Sequence, residues 1–353
     1  MKKKKTIFRH ISSWLVMLAV CLVCLGNVQV QASGDGTMEI HFIDVGQGLS
    51  ILVESQGEYL LYDGGDKSHS STVVSYLKEQ QITNIDYMIS SHYDEDHVAG
   101  LVGCLNAFSV ETVIGPDYLQ GTKIHQSFID GVNAQNLTVL HPEVGMEFTF
   151  GSGKFVILAP HEITNNSNEN SVVIQLYNGS NSFLFTGDAE MGSESEMCAS
   201  GMDLSCDVLV LGHHGSATAT SWELLEHTIP EYALISCGTD NSYGHPDKDT
   251  MDKLEAMEIE VYRTDVQGSI IAVSDGSEIV WSQVPCNDYS AGDEQDLGTQ
   301  PSTQNSVMVW ISATGSKYHK IPDCGNMNPD KATQMEEGAA ASSGYEACKK
   351  CFG

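Results

Sequence analysis

Residues 91–97 read SHYDEDH, which places His92, Asp94, Asp96 and His97 within six positions and Glu95 among them. Carboxylates that close repel one another, and neutral imidazoles cannot compensate them, whereas a divalent cation can. The preceding IDYMISS is a strand-like apolar run, and the following HVAGLVGCLNAF has helical periodicity. The cluster therefore falls on a strand-to-helix turn, with the helix beginning near His97 and with Asp96 and His97 at its electropositive end. The turn sends His92 and Asp94 one way and Asp96 and His97 another, a spacing that serves two ions lying about 3.5–4 Å apart. An EF-hand loop is excluded because Val98 and Ala99 stand where its glycine is needed. A zinc-deaminase arrangement is excluded because Asp94 stands where its glutamate is needed.

Working outward, residues 38–283 repeat one pattern: a short β-rich run ending abruptly in polar or glycine residues. Examples are MEIHFIDVGQG, EYLLYDGGD, VETVIGP, KFVILAP, SFLFTGDAE, CDVLVLGHHGS and YALISCG. Helical patterns STVVSYLKEQQ and DKDTMDKLEAM fall between some of them. Alternating strands and helices predict an α/β layered domain with its site at strand ends. Three further tips offer chemistry: Asp188 in TGD as a bridging carboxylate, the pair His213 and His214, and His245 in the loop ISCGTDNSYGHPD.

The chain has 353 residues, 41% of them hydrophobic, enough for one large or two modest domains. Residues 1–32 run from MKKKKTIFRH through the apolar ISSWLVMLAVCLVCLG to VQVQAS, the composition of a secretory signal peptide cleaved after Ala32. The apolar stretch is shorter than the ~20 residues of a spanning helix, so a secreted product without stable membrane insertion is expected. The net charge is −30; without Lys2–Lys5 and Arg9, 12 basic residues face 47 acidic ones, or −35. Such a surface repels polyanions at long range, which disfavours DNA as a partner and favours small-molecule or cell-wall phosphoester substrates.

In this order and spacing, Asp-Gly at a strand end, His-x-x-x-Asp-His, Thr-Gly-Asp and His-His-Gly-Ser resemble the metallo-β-lactamase superfamily. FIDVGQGLSILV, the His-x-Asp-x-Asp-His variant, Asn-x-x-Ser before a strand, and YGHP resemble the hydrolase domain of ComEC-type competence proteins, over residues 38–283. The resemblance implies a four-layer αββα sandwich. It implies His92 and Asp94 as ligands of one metal, Asp96, His97 and His213 as ligands of the other, and Asp188 as the bridge. His213 is preferred to His214 because it directly follows Gly212. Asp63 in LLYDGGD would orient a ligand, and Asp96, His214 and His245 are the residues assigned to catalysis, His245 contacting a substrate oxyanion or protonating the leaving group. Superfamily members commonly have His where Asp94 stands and a third His for the first metal. Here NNSNENSVV occupies that loop, with Asn168 and Ser171 as supporting residues and His161 upstream. Oxygen-rich ligands shift preference toward manganese, so zinc and manganese both stand as cofactors. The activity implied is a two-metal phosphodiesterase, nucleases included, working through metal-bound hydroxide. A cell-wall phosphocholine esterase or lactonase, and a non-catalytic binding protein that keeps the fold, are the alternatives.

Residues 284–305, VPCNDYSAGDEQDLGTQPSTQN, read as a linker between a hydrolase domain (33–283) and a small module (306–353). In that module TGSKYHKIPDC and GYEACKKC supply His319, Cys324, Cys348 and Cys351. A CxxC pair with a distant His and Cys fits a structural zinc site, with disulfides as the alternative in an exported chain.

Overall fold

The structure is a computed structural model that describes residues 36–292, 308–311, 316–320, 331–336, 340 and 345–352. The signal-peptide reading of residues 1–32 lies outside the described residues. Two compact units divide between Asp296 and Leu297.

The first unit opens with β1 (Met38–Phe42), β2 (Ile51–Ser55), β3 (Glu58–Tyr62), α1 (Ser70–Glu79), β4 (Asn84–Ile89), α2 (Glu95–Ala107), β5 (Ser109–Ile114), α3 (Lys123–Ala134) and β6 (Val139–Leu140). It continues with β7 (Glu147–Phe150), β8 (Gly153–Ala159), β9 (Val173–Asn178), β10 (Asn181–Phe185), α4 (Met191–Ala199), β11 (Val208–Val210), α5 (Trp222–Thr228), β12 (Tyr232–Ile235), α6 (Lys248–Ala256) and β13 (Glu260–Arg263). It closes with α7 (Thr264–Gln267), β14 (Ile270–Ser274) and β15 (Ile279–Trp281). One sheet has the order β15-β14-β1-β2-β3-β4-β5-β6, the other β13-β12-β11-β10-β9-β8-β7.

Period-2 alternation builds the layers. In β2, Ile51 and Val53 enter the core between the sheets, while Leu52 enters the core beneath the helices. In β10, Phe183 and Phe185 point between the sheets and Leu184 points outward. The outer face of the first sheet packs with Val73, Leu77, Val98, Leu101, Phe128 and Val132 of α1, α2 and α3. That of the second packs with Met197, Leu224, Leu225, Met251 and Leu254 of α4, α5 and α6. Each such buried side chain contributes about 1.5–3 kcal/mol. The result is the four-layer αββα sandwich expected from the sequence.

Within each sheet one half is parallel: β3-β4-β5-β6 in the first and β10-β11-β12-β13 in the second. Parallel strands send their C-terminal ends to the same edge, and all the candidate ligands follow such ends. A glycine contact locks the first of these tips. Gly64 N donates to His97 O (2.7 Å) and Gly100 N donates to Gly65 O (3.1 Å). A Cβ on Gly100 would lie 1.7 Å from Gly64 O, so helix α2 rests on the Asp63–Gly65 turn only because both residues lack side chains.

Two expectations are corrected. The helix after SHYDEDH starts at Glu95, so Asp94 is its N-cap. Helices α3, α4 and α5 were not read from the sequence, although Thr122 and Ser221 cap two of them by accepting from His125 N and Leu224 N. The linker boundary at 284 is also displaced. Cys286 N and Asn287 N donate to Val261 O (2.9 and 3.2 Å), Arg263 donates to Ser290 O (2.6 Å), Gly292 N donates to Pro246 O (2.8 Å), and Ala291 is buried. Small polar residues there bond to the edge strand β13 rather than to water.

Candidate metal centre

Asp63, Ser91 and His92 follow β3 and β4; Asp188, His213, His214 and Ser236 follow β10, β11 and β12. The sandwich brings these tips together. Asp63 is fully buried and sets the tautomers of two imidazoles. Its Oδ2 accepts from His97 Nδ1 (2.9 Å) and from Ser91 Oγ (2.7 Å), and its Oδ1 accepts from Ser91 N (2.7 Å). With its only hydrogen given to Asp63, Ser91 Oγ accepts from His92 Nδ1 (3.0 Å). His214 Nδ1 donates to Ser236 O (2.9 Å), which can only accept. His92, His97 and His214 thus all present Nε2 lone pairs to the centre.

What those lone pairs face decides the chemistry. Asp188 Oδ1 lies 3.1 Å from His97 Nε2 and 3.6 Å from His214 Nε2. Its Oδ2 lies 3.9 Å from His92 Nε2 and 3.9 Å from His213 Nε2. Asp96 Oδ2 is 3.4 Å from His214 Nε2, and the Nε2 atoms of His97 and His214 are 3.3 Å apart. His92 Nε2 is buried with no hydrogen-bond partner. Two sets, His92–His97–Asp188 and Asp96–His97–His214, hold donor atoms within 4.8 Å of one another.

Lone pairs aimed at one another in a buried space need a cation between them. Although burial alone would lower it, the carboxylates of Asp188, Asp63 and Asp96 hold the His97 imidazole well above its usual pKa. Burial would likewise raise Asp188, yet His97 and His214 hold it well below the carboxylate range. The bare cluster recruits a proton to bind its acids; a divalent ion supplies the same compensation with more charge. The residues present therefore fit divalent metal.

The structure groups the buried His214, not the expected His213, with Asp96 and His97. His213 is 24% exposed, and its Nδ1 lies 3.1 Å from Thr218 Oγ1 and 3.2 Å from Glu190 Oε1. The reason is local: both residues take left-handed backbone (φ 50° and 58°), and this turn after Gly212 aims the second ring at Asp96 and His97 and the first at Asp188 Oδ2 and Glu190. Asp94 has its Oδ2 3.7 Å from His92 Nε2 and accepts from Gln120 Nε2 (2.6 Å) and Ser167 Oγ (3.1 Å). Ser171 Oγ accepts from Asp188 N (3.1 Å), and Asn168 Nδ2 donates to Glu190 Oε1 (3.3 Å), so both brace the TGDAE tip. His161 is exposed. His245 lies against His213, with ring centroids 5.4 Å apart and its Nδ1 buried without a partner. Burial, with His214 and His213 facing it, pushes its pKa down to about 4, so the ring is uncharged near neutrality.

Ser91, Ser236, Glu190 and Gln120 were not singled out from sequence. The motif DVGQG carried a signal that could have led to Ser236: Ser236 Oγ donates to Gly48 O (2.8 Å), and Gly238 N donates to Gln47 Oε1 (3.3 Å), so that loop props the residue orienting His214. A cavity of about 1030 Å³ opens beside Asp94 and Asp96, with Lys67, Gln120, Lys123 and Tyr243 on its wall.

In the second unit, His319, Cys348 and Cys351 come together; Cys324 lies outside the described residues. Among the described residues no helix is long and apolar enough to cross a membrane.

An αββα sandwich with His/Asp donors converging at strand tips defines a class of divalent-metal proteins of hydrolase type. The chain belongs to the metallo-beta-lactamase superfamily, whose profile matches residues 43–238. It is similar to "Recombination protein 2" of Haemophilus influenzae (30% identical, covering 71% of this chain and 31% of that one). It is also similar to "Competence protein ComA" of Neisseria gonorrhoeae (30% identical; 73% and 35%) and to "ComE operon protein 3" of Bacillus subtilis (26% identical; 74% and 36%). The chain spans about a third of the length of these curated relatives.

Proposed function

We propose that this protein hydrolyses phosphodiesters with divalent ions, zinc or manganese, held around Asp188. The observation that carries the reading is that the two oxygens of Asp188 face different donor sets, Oδ1 toward His97 and His214 and Oδ2 toward His92 and His213. Ions held by these residues would supply an acidified water and charge compensation for the attacking and leaving oxygens, which phosphodiester cleavage needs more than acyl transfer does.

The chain's own residues bind and orient the substrate. Residues 36–292 hold seven basic side chains, and Lys154, Lys248, Lys253 and Arg263 are committed to ion pairs. Lys67 and Lys123 instead line the cavity beside Asp94 and Asp96, where they would offer positive charge to an anionic substrate. Tyr243, exposed, stacks on His245 (5.6 Å between centroids) and offers an aromatic face at the same wall. His245, packed against His213 and Tyr243, would hydrogen-bond a substrate oxygen. The names of the relatives, competence and recombination, support a nucleic acid as the phosphodiester. The net charge of −30 favours a second reading, a zwitterionic phosphocholine ester of the cell wall. The basic-then-apolar composition of residues 1–32 supports export; N-terminal sequencing of extracellular protein should begin at Ser33.

The purified chain, assayed with manganese, zinc or EDTA, tests the proposal. Bis-p-nitrophenyl phosphate and single-stranded DNA should be cleaved with either metal and not with EDTA. Turnover of a lactone with every phosphodiester intact would overturn the phosphodiesterase reading, whereas turnover of p-nitrophenyl phosphocholine, itself a phosphodiester, with DNA intact would replace nucleic acid by the phosphocholine ester as substrate.

A further inference from the structure

The second unit carries donors that the proposed hydrolysis does not use. There β16 (Met308–Ile311) pairs antiparallel with both β17 (Lys317–His319) and β18 (Thr333–Glu336). Strand β17 also pairs in parallel with β19 (Glu346–Ala347), which leads into α8 (Lys349–Phe352). Parallel register sets Lys317 beside Glu346 and Tyr318 beside Ala347, so the next residues, His319 and Cys348, emerge from neighbouring strands at the same level. Cys348 N donates to Tyr318 O (3.0 Å), and Cys351 N donates to Cys348 O (2.9 Å), folding the CxxC turn back toward the histidine. The result is one imidazole and two sulfurs with donor atoms within 4.8 Å of one another, Cys351 Sγ lying 3.8 Å from His319 Nδ1.

We propose that His319, Cys348 and Cys351 bind a zinc ion that staples the end of β17 to the β19–α8 turn. Zn–S bonds of about 2.3 Å and Zn–N bonds of about 2.0–2.1 Å space tetrahedral ligand atoms about 3.5–3.8 Å apart, the separation seen between Cys351 and His319. Two sulfurs and an imidazole form a soft donor set that selects zinc over manganese or magnesium. A disulfide gives the imidazole no role, whereas the metal uses all three groups. Binding deprotonates both thiols, releases two protons to solvent and moves no electrons.

Among the second unit's described residues the buried apolar side chains are Val309, Ile311 and Ala340, with Tyr318, Met335 and Tyr345 partly buried against them. A metal bridging two of its strands would add to the stability that this described core supplies. The site would therefore contribute folding free energy to the second unit.

The test uses the full chain and reads metal, not turnover. The chain carrying Asp188→Ala and His97→Ala, isolated without chelators or reductant, should retain one equivalent of zinc. Substituted with cobalt(II), that chain should show a sulfur-to-cobalt charge-transfer absorption, and adding Cys348→Ser and Cys351→Ser should abolish both the absorption and the zinc. If the serine variant does not accumulate, His319→Cys keeps a zinc-ligand set and should keep both. Absence of the charge-transfer absorption in the unsubstituted chain, or an intact mass and peptide map showing Cys348 joined to Cys351, would overturn the proposal. Neither outcome depends on whether the first unit cleaves phosphodiesters.

Discussion

On the Oδ1 side of Asp188, His97 and His214 are buried, and each has its Nδ1 tied to a fixed acceptor, Asp63 and Ser236 O. On the Oδ2 side the partners are His92, braced by Ser91; Asp94, one-third exposed and shared with Gln120 and Ser167; and His213, turned toward Glu190. The first side is preorganised, with orientation settled by folding, so a metal ion meets donors that lose little further freedom. On the second side Asp94 and His213 are partly exposed and shared with other polar groups, which suits an ion that exchanges or shares its coordination with substrate. One fold has built two half-sites of different stiffness around a single carboxylate.

Asp188→Asn should remove what the two sides share, and the largest effect is expected there: bound metal falls on both sides and diester hydrolysis falls by about 10³-fold or more. Elemental analysis beside turnover measures it, and two retained ions would separate the halves entirely. Next in size, Gly100→Ala forces a Cβ against Gly64 O beneath the rigid side and should cost about 3 kcal/mol of stability, read from the urea midpoint. An unchanged midpoint would mean that the α2 contact is not what holds that side stiff. Asp63→Asn disturbs the tautomers of His97 and, through Ser91, His92, so chelator competition should find metal bound about 10–100-fold more weakly. Asp94→His gives the open side a third imidazole beside His92 and His213. Its zinc affinity should rise by about tenfold, with manganese losing ground, in a two-step titration. The smallest effect is expected from Lys67→Ala with Lys123→Ala: KM for the diester rises about fivefold at low salt with kcat unchanged, and the difference shrinks as salt is added.

Both sides were partly legible: His92 and Asp94 of the open side and Asp96 and His97 of the stiff side stand in one heptapeptide, and Asp188 in TGD, because strand tips bearing clustered acids leave a local signature in the chain. The orienting groups did not. Ser91 reads as an ordinary polar residue until the buried Asp63 takes its hydrogen, and Ser236 acts through a backbone carbonyl, which has no residue code. The choice of His214 over His213 rests on two consecutive left-handed residues, and histidine carries no composition signal for that backbone. Helices α3 and α5 were missed though their caps were present, since one Thr or Ser is too common to mark a helix start. Residues 286–292 were misjudged because Asn, Asp and Ser are equally suited to water and to the open edge of β13.

Sequence alone determined the layered α/β class, the strand-tip placement of His92, Asp94, Asp96, His97 and Asp188, and the requirement for a cation among them. These follow from hydrophobic period and local charge density, which are properties of neighbours along the chain. Only the tertiary structure decided which lone pairs meet, which of two adjacent histidines joins Asp96 and His97, and that Lys67 and Lys123 share a wall with Asp94 and Asp96. Those are relations between residues far apart in sequence, set when the two sheets close on a common core and bring their parallel strand ends to one edge.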